Sequence, residues 1–483
     1  MPKKTDRKTG EVTEWKNAID RQKAVNYLAD IYCTISTGGD VWLYEDGAYH
    51  RDQGEIHSFI TRIARGLDMQ SQRGDDLEIT NMLLGTNHFP KPPFNYKEGY
   101  LPFRNGFVII DFETGVVSGP FPHSPENRFT YVLPADYDAS APTEPVLDVL
   151  RQWVDEKDVD ILVQIPAQGF VQAMIDDTFK KSYLLQGERD SGKSSYLELI
   201  YRSVGKESGA LSLVSLHAIS SNRFSLASLE NKVINAYDDL GSEELVGFGQ
   251  FKKLTGSTYH EIERKGRDAR NGRIFCVHVF ACNIPPMVPE RVKYDLAFWS
   301  RWEFVRFPFT HKIDPTFHTR TFTDAFLSGW YNLIIQAMVK IYRDKKLAIN
   351  STEEEVMERW FQNSDPLCQF IEEMTVDVDY NGKPIVKFNK FDKDLFYGYY
   401  VEFCKERNLD ERKIIRSKEK FTRELYKYGF LPKRERITIR EKGKIKRTGL
   451  VWCYVANRTW NDGMAQVEPS LPKLKGVDDL DEC

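Results

Sequence analysis

Gly187-Glu188-Arg189-Asp190-Ser191-Gly192-Lys193-Ser194, followed by Ser195, sets two glycines, a lysine and a hydroxyl at the spacing of a loop that wraps phosphate groups. The glycines let backbone N–H groups turn toward phosphate oxygens. Lys193 can reach the β and γ phosphates, and the Ser194 hydroxyl can complete the coordination of Mg²⁺. A chance match in a chain this long has a frequency on the order of a few per cent. The setting lowers it further, because the apolar run Tyr183-Leu184-Leu185 precedes the loop and a helical run from Ser195 to Val204 follows.

Two further segments could serve the same nucleotide. Val233-Ile234-Asn235-Ala236-Tyr237 is an apolar strand that ends in Asp238-Asp239, where one carboxylate can join the metal shell and the other orient water. A solvated Asp-Asp turn is the plainer alternative. Ile274 to Ala281 is a second buried strand that ends at Asn283-Ile284-Pro285-Pro286, so the Asn283 amide could reach a γ phosphate. Asn before such prolines also forms ordinary turns. Between these strands, Glu263-Arg264-Lys265-Gly266-Arg267-Asp268-Ala269-Arg270 is a turn flanked by cations. It suits contact with a phosphodiester backbone, or a solvated charged hairpin.

These groups need a scaffold, and the hydrophobic pattern predicts one. Short β-type runs at 183–185, 233–237, 274–280 and 302–305 alternate with helical stretches, as in a parallel sheet covered on both faces. Residues 1–12 read as a flexible basic arm, and Trp15, Ile19, Ala24, Leu28 and Ile31 suit an amphipathic helix. Strands at Val41–Tyr44 and Gly106–Asp111, with a helix from Ile56 to Leu67, make residues 13–142 an α+β domain. Pro142-Thr143-Glu144-Pro145 marks its end. The core then spans 143–345, a connecting segment 346–385, and a helix-helix-strand-strand unit 386–460 that suits a winged helix; an acidic flexible tail occupies 461–483.

Composition bounds the function. Among 483 residues, 41% are hydrophobic and 29% charged, which excludes wholesale disorder. No apolar stretch is long enough for a membrane span, and seven scattered cysteines without a Cys-x-x-Cys pair suit a reducing cytoplasm. The net charge of −4 hides a local excess: Arg412 to Arg447 carries fifteen Lys or Arg against four Glu.

In this order the motifs resemble superfamily 3 helicases, a class of AAA+ ATPases from viruses, phages and plasmids. The likeness is closest to the helicase part of phage and plasmid primase-helicases and of the poxvirus primase-helicase. It rests on the phosphate loop, Asn235-Ala236-Tyr237-Asp238-Asp239-Leu240, Phe251-Lys252-Lys253-Leu254-Thr255-Gly256, Glu263-Arg264-Lys265, Ala281-Cys282-Asn283 and Ala297-Phe298-Trp299-Ser300-Arg301-Trp302. Arg104-Asn105-Gly106, Asp111, Thr114-Gly115 and His123-Ser124-Pro125-Glu126 resemble the domain that precedes such cores.

The resemblance implies an α/β fold: a AAA+ P-loop NTPase core with a parallel sheet, an α+β N-terminal domain and a C-terminal winged helix. It implies ATP with Mg²⁺ held by Ser194, Asp238 and Asp239, and catalysis by Lys193, the acid pair, Asn283 and Arg301. Arg301 would be an arginine finger reaching a neighbouring subunit's ATP, or else a buttress for Trp299 and Trp302. Lys265, with Arg264 and Arg267, would grip DNA in a channel, while Arg434, Arg436, Lys444 and Lys446 would contact phosphates from the wing. One departure lies in the hairpin approach, where Gly256-Ser257-Thr258 replaces the family's frequent Gly-Gly-Asp.

The expected protein is therefore a ring-forming, hexamer-like replicative helicase acting on single-stranded and duplex DNA, moving 3′ to 5′, with a primase or polymerase on another polypeptide. The nearest rival is an ATP-dependent initiator that binds and melts an origin. A small-molecule kinase fits the phosphate loop but leaves the basic C-terminal strands unused.

Overall fold

The computed structural model describes residues 2–5, 12–15, 19–66, 74–95, 97–175, 177–206, 208–245, 247–289, 292, 295–378, 384–386, 390–406, 414–427, 430–441 and 444–456. The chain divides into two compact units, 1–284 with 288–353, and 285–287 with 354–483.

The first unit begins with β1 (Pro2–Thr5) and β2 (Val12–Trp15), which pair antiparallel. The arm expected to be flexible thus contains a strand. Trp15 belongs to β2, so the first helix starts later: α1 (Arg21–Ile31) is capped by the Asp20 carboxylate accepting from Lys23 N–H. It packs with β3 (Ile35–Thr37), β4 (Asp40–Glu45), β5 (Ala48–Arg51), α2 (Glu55–Gly66) and α3 (Asp75–Leu84) around Val25, Leu28, Leu43, Ile60 and Leu83. The antiparallel sheet β6 (Tyr100–Phe103), β7 (Gly106–Ile110), β8 (Val117–Phe121) follows.

α4 (Glu144–Trp153) and α5 (Glu156–Ile175) lead into the central sheet. Its elements, in chain order, are β9 (Ser182–Gly187), α6 (Lys193–Val204), β10 (Leu211–Ser212), α7 (Leu216–Ser221), β11 (Ile234–Tyr237), α8 (Gly249–Gly256), the hairpin β12 (Tyr259–Arg264) and β13 (Arg267–Arg273), β14 (Val277–Cys282), α9 (Leu296–Trp299) and β15 (Trp302–Phe307). The five core strands are ordered β10-β11-β14-β9-β15 and run parallel throughout. β10 has no counterpart among the predicted strands, because two residues are too few to show a period.

Alternation along these strands divides them between two cores. Tyr183, Leu185, Ile234, Ala236, Val279, Ala281 and Val305 join a cluster with α4, α5, α6 and the later helix α11 (Asp324–Asp344), which follows the short α10 (Phe317–Thr321). On the opposite face Trp302 stacks on Phe251 at 4.8 Å between ring centres, and Phe280 and Phe298 each lie 5.9 Å from Trp302. With both faces covered, nearly every residue of these strands is buried, including the polar Asn235, His278 and Glu303. The expected domain boundary at 142 does not separate two cores: Leu101, Phe103, Val108, Tyr131 and Leu133 belong to the same cluster as Val146, Phe170 and Trp330.

The second unit holds α12 (Glu353–Ser364), α13 (Pro366–Thr375), the short β16 (Val376–Val378), β17 (Pro384–Val386) and β18 (Lys390–Asp392), then α14 (Lys393–Glu406), α15 (Lys418–Lys427), β19 (Phe430–Glu441) and β20 (Lys444–Ala456). Phe370, Phe396, Tyr400, Phe421 and Leu425 form its core, and β19 and β20 pair antiparallel across Glu441↔Lys444. The tail at 461–483 lies outside the described residues.

Candidate nucleotide site and basic hairpin

The phosphate loop leaves the carboxyl end of β9 and enters α6 at Lys193. Its shape depends on two glycines. Gly192 has φ of +96°, and a Cβ there would collide with the Trp153 indole; a Cβ on Gly187 would strike the Phe307 carbonyl and approach Ser191 Oγ to 2.7 Å. Lys193 Nζ donates to the carbonyls of Gly187 and Glu188, both at 2.8 Å, and to Ser191 Oγ at 3.2 Å. Burial pulls this ammonium below its ordinary pKa, while the negative charges of Asp238, Glu188 and Asp239 oppose the shift. The lysine and the acid pair therefore share one electrostatic site.

The strand order explains why they meet. β11 ends just before Asp238, β14 just before Asn283 and β9 just before the loop, and these strands lie side by side. In a parallel sheet, ligands bind outside the carboxyl ends, near strands whose connections diverge. Asp238 is half-buried and Oδ1 accepts from Asp239 N–H at 2.9 Å; Asp239 and Asn283 are exposed. The Asn283 carbonyl accepts from Gln186 Nε2 at 3.1 Å, tying the turn after β14 to β9.

Ser194, exposed at the first turn of α6, and the two aspartates carry the hard oxygen donors that Mg²⁺ takes, an ion that binds few protein ligands and completes its shell with phosphate oxygens and water. Ser191 is buried beside Lys193, and Glu188, Arg189 and Asp190 are exposed on the loop. Ser195 Oγ lies 3.0 Å from His318 Nε2 of α10, and the Asp190 carbonyl accepts from His311 N–H at 2.9 Å. The roles of Trp153, His311 and His318 around the loop escape sequence reading, since no local spacing links them to it.

Arg301 sits at the other end of the sheet. Trp302 pairs with Ser182 and Phe307 with Gly187, so Arg301 precedes the first pair while the loop follows the last. At ~3.3 Å per residue the six steps from Arg301 to Phe307 span roughly 20 Å, too far for its guanidinium to serve the loop of the same chain. Its Nε donates to Thr255 Oγ1 at 2.9 Å and Nη1 to the Ala297 carbonyl. Those bonds, to the end of α8 and to α9, are distinct from the expected buttressing of Trp299 and Trp302.

The basic hairpin β12–β13 turns at Lys265-Gly266, with φ of +72° at Gly266, and Lys265 is exposed at the tip. Its arginines point elsewhere. Arg264 donates at 2.7 Å to Asp40 Oδ2 of β4 and at 2.7 Å to Glu230 Oε2; Arg267 reaches Asp40 Oδ1 at 2.6 Å, and Arg270 reaches Glu230 at 2.7 Å. Burial alone raises the Asp40 carboxyl; the guanidinium hydrogen bonds of Arg264 and Arg267 and the charge of Arg51 overcome it and hold the group below its ordinary value. Arg264 is thus committed to two carboxylates and cannot meet a strand without leaving them. Of the expected wing contacts, Arg434 is exposed on β19; the side chains of Arg436, Lys444 and Lys446 lie outside the described residues.

Comparison with known proteins adds two regional likenesses. Residues 25–159 match the family described as D5 N terminal like, and residues 185–296 match a family of unknown function, DUF5906. No curated protein matches the chain. Among solved structures, the apo NrS-1 C-terminal region (305–718) is 12% identical, with a TM-score of 0.44, covering 90% of this chain and 99% of that one. An A-form apo structure of the NrS-1 C-terminal region is 12% identical, with a TM-score of 0.41, over 92% of this chain and 100% of that one. Among the described residues no helix is long and apolar enough to cross a membrane.

Proposed function

We propose that this chain is an ATP-hydrolysing DNA motor of viral or phage replication, related to the helicase part of primase-helicases and working as a ring of identical copies. The observation that carries the reading is the convergence of the phosphate loop, Asp238-Asp239 and Asn283 at the carboxyl ends of three adjacent parallel strands. The likeness of residues 25–159 to the D5 N-terminal family agrees with it.

In this reading the loop N–H groups and Lys193 hold the β and γ phosphates, exchanging the lysine's present carbonyl partners for phosphate oxygens. Ser194 and one aspartate hold Mg²⁺, which when bound supplies charge neutralisation at the phosphates. The second aspartate orients water and Asn283 contacts the γ phosphate. Arg301, unable to reach its own loop, completes the site of a neighbouring copy, so that turnover depends on assembly.

Purified protein should hydrolyse ATP faster with single-stranded DNA and displace a strand from a tailed duplex, and both activities should vanish in Lys193→Ala. DNA-insensitive hydrolysis would return the chain to the small-molecule kinases; origin-restricted binding without displacement would favour an initiator.

A further inference from the structure

Asp40 and Glu230 are almost completely buried, their side chains 6% and 1% exposed, and four guanidiniums surround them: Arg51, Arg264, Arg267 and Arg270. Two negative charges face four positive ones. The imbalance is larger still in hydrogen bonds, since each guanidinium carries about five N–H donors while a carboxylate accepts about four. Donors are in excess, and not all of them are directed inward. The Arg267 side chain is 52% exposed and Arg270 26% exposed, and both line a cavity of about 150 Å³ together with Gly38, Gly39, Ile262, Arg264 and Asp268.

The glycines make that cavity possible. Gly38 and Gly39 turn between β3 and β4 with φ of +60° and +78°, and a Cβ on Gly38 would lie 3.2 Å from the Arg270 guanidinium carbon. A side chain there would fill the space in front of the arginines. Such a pocket, with three forked guanidiniums and the backbone of two glycines against the single carboxylate of Asp268, has the features that recognise a phosphate oxygen.

We propose that the pocket between Gly38-Gly39 and the β12–β13 hairpin binds one phosphate of a DNA backbone, with Arg267 and Arg270 as donors and Asp40 as a built-in competitor for Arg267. The inference rests on the DNA-motor reading and adds a contact that joins the N-terminal sheet to the hairpin. Arg264, with both amino groups on buried carboxylates, keeps the hairpin docked. Lys265 lies beyond the pocket at the tip and would touch a neighbouring phosphate.

The test is binding of a fluorescent twenty-nucleotide oligo(dT) to the full chain without ATP, across a range of salt concentrations. Arg267→Gln should weaken binding about threefold to tenfold and lower the salt slope by about 0.7, the loss of one single-strand phosphate contact. Asp40→Asn, which removes the competitor, should tighten binding by a similar factor. A purely structural network gives the opposite pattern, with D40N binding no better than wild type. Thermal unfolding identifies a D40N protein that fails to fold, and the salt slope of R267Q then decides alone. An unchanged slope in R267Q, with wild-type protein binding DNA, overturns the pocket and leaves the motor reading intact. Wild-type protein that binds no oligonucleotide overturns both.

Discussion

The phosphate loop and the turn of the β12–β13 hairpin each follow a strand and carry cations, yet they are built by different means. In the loop, conformation comes from backbone: Gly187 and Gly192 are packed against Phe307 and Trp153, and Lys193 is held by carbonyls within six residues of itself. In the hairpin, position comes from side chains that reach across the chain: Arg264 meets Asp40, 224 residues away, and Glu230, 34 residues away. A site made by local backbone is specified by residue types at fixed spacing. A site made by distant ion pairs requires the tertiary fold before its partners can be named.

The largest expected effect tests whether the loop is complete within one chain. Arg301→Ala should bind ATP normally and lose turnover by about a thousandfold, the scale of an arginine finger, although it alters nothing near its own loop. Mixing R301A with Lys193→Ala subunits should restore part of the activity, because some interfaces then pair an intact loop with an intact arginine. Mixtures that remain inactive while still assembling would place Arg301 in a structural role with Thr255 and Ala297.

Next in size is the dependence of the loop on Gly192. Gly192→Ala combines a left-handed backbone with a collision against Trp153, a buried side chain in the main core. Strain of this kind costs about 1–3 kcal/mol before any repacking. Calorimetry should show a lower melting temperature together with lost nucleotide binding. The corresponding change in the hairpin turn, Gly266→Ala, has positive φ but open space around it, so it should cost less and leave nucleotide affinity unchanged.

The contrast also explains which parts were legible in advance. The loop, the acid pair, Asn283 and four of the five core strands followed from hydrophobic runs and their terminal residues, because parallel strands buried on both faces are continuous in sequence. The role of Asp40 was not legible: it stands at the start of a strand with no charge pattern around it, and only the fold brings β4 to the hairpin. Arg264 and Arg267 were expected to meet DNA or to lie on a solvated hairpin, whereas buried carboxylates take up donors of both. The boundary at 142 was read from its prolines, yet the core continues across it, because the β6–β7 strands bury Leu101, Phe103 and Val108 against the helices that follow.

Acid should distinguish the two regions as well. Burial in the central sheet pushes the His278 imidazole down to about 3, from an ordinary 6.5. The folded protein keeps this group neutral while the unfolded chain takes up a proton below pH 6.5. Its contribution to stability is therefore complete above that pH and is lost progressively as the pH falls toward 3. At pH 5 the loss is about 2 kcal/mol. Denaturant unfolding at pH 7 and pH 5 should show it, and His278→Gln should flatten the difference. The ion-pair cluster at the hairpin should add little over this range, since its guanidiniums stay charged and Asp40 is held ionised.

The smallest expected effect falls on Lys265. Exposed at the tip of the turn, it should add one charge to any contact with a nucleic-acid strand and almost nothing to stability. Lys265→Ala should leave the melting temperature unchanged and weaken oligo(dT) binding a few-fold, in proportion to one phosphate contact. Arg264→Ala should do the reverse in part: it strips two buried carboxylates of a partner, so a fall in melting temperature should accompany any loss of binding. If Lys265→Ala lowered stability as much as Arg264→Ala, the division between a tip that touches DNA and a base that docks the hairpin would be wrong.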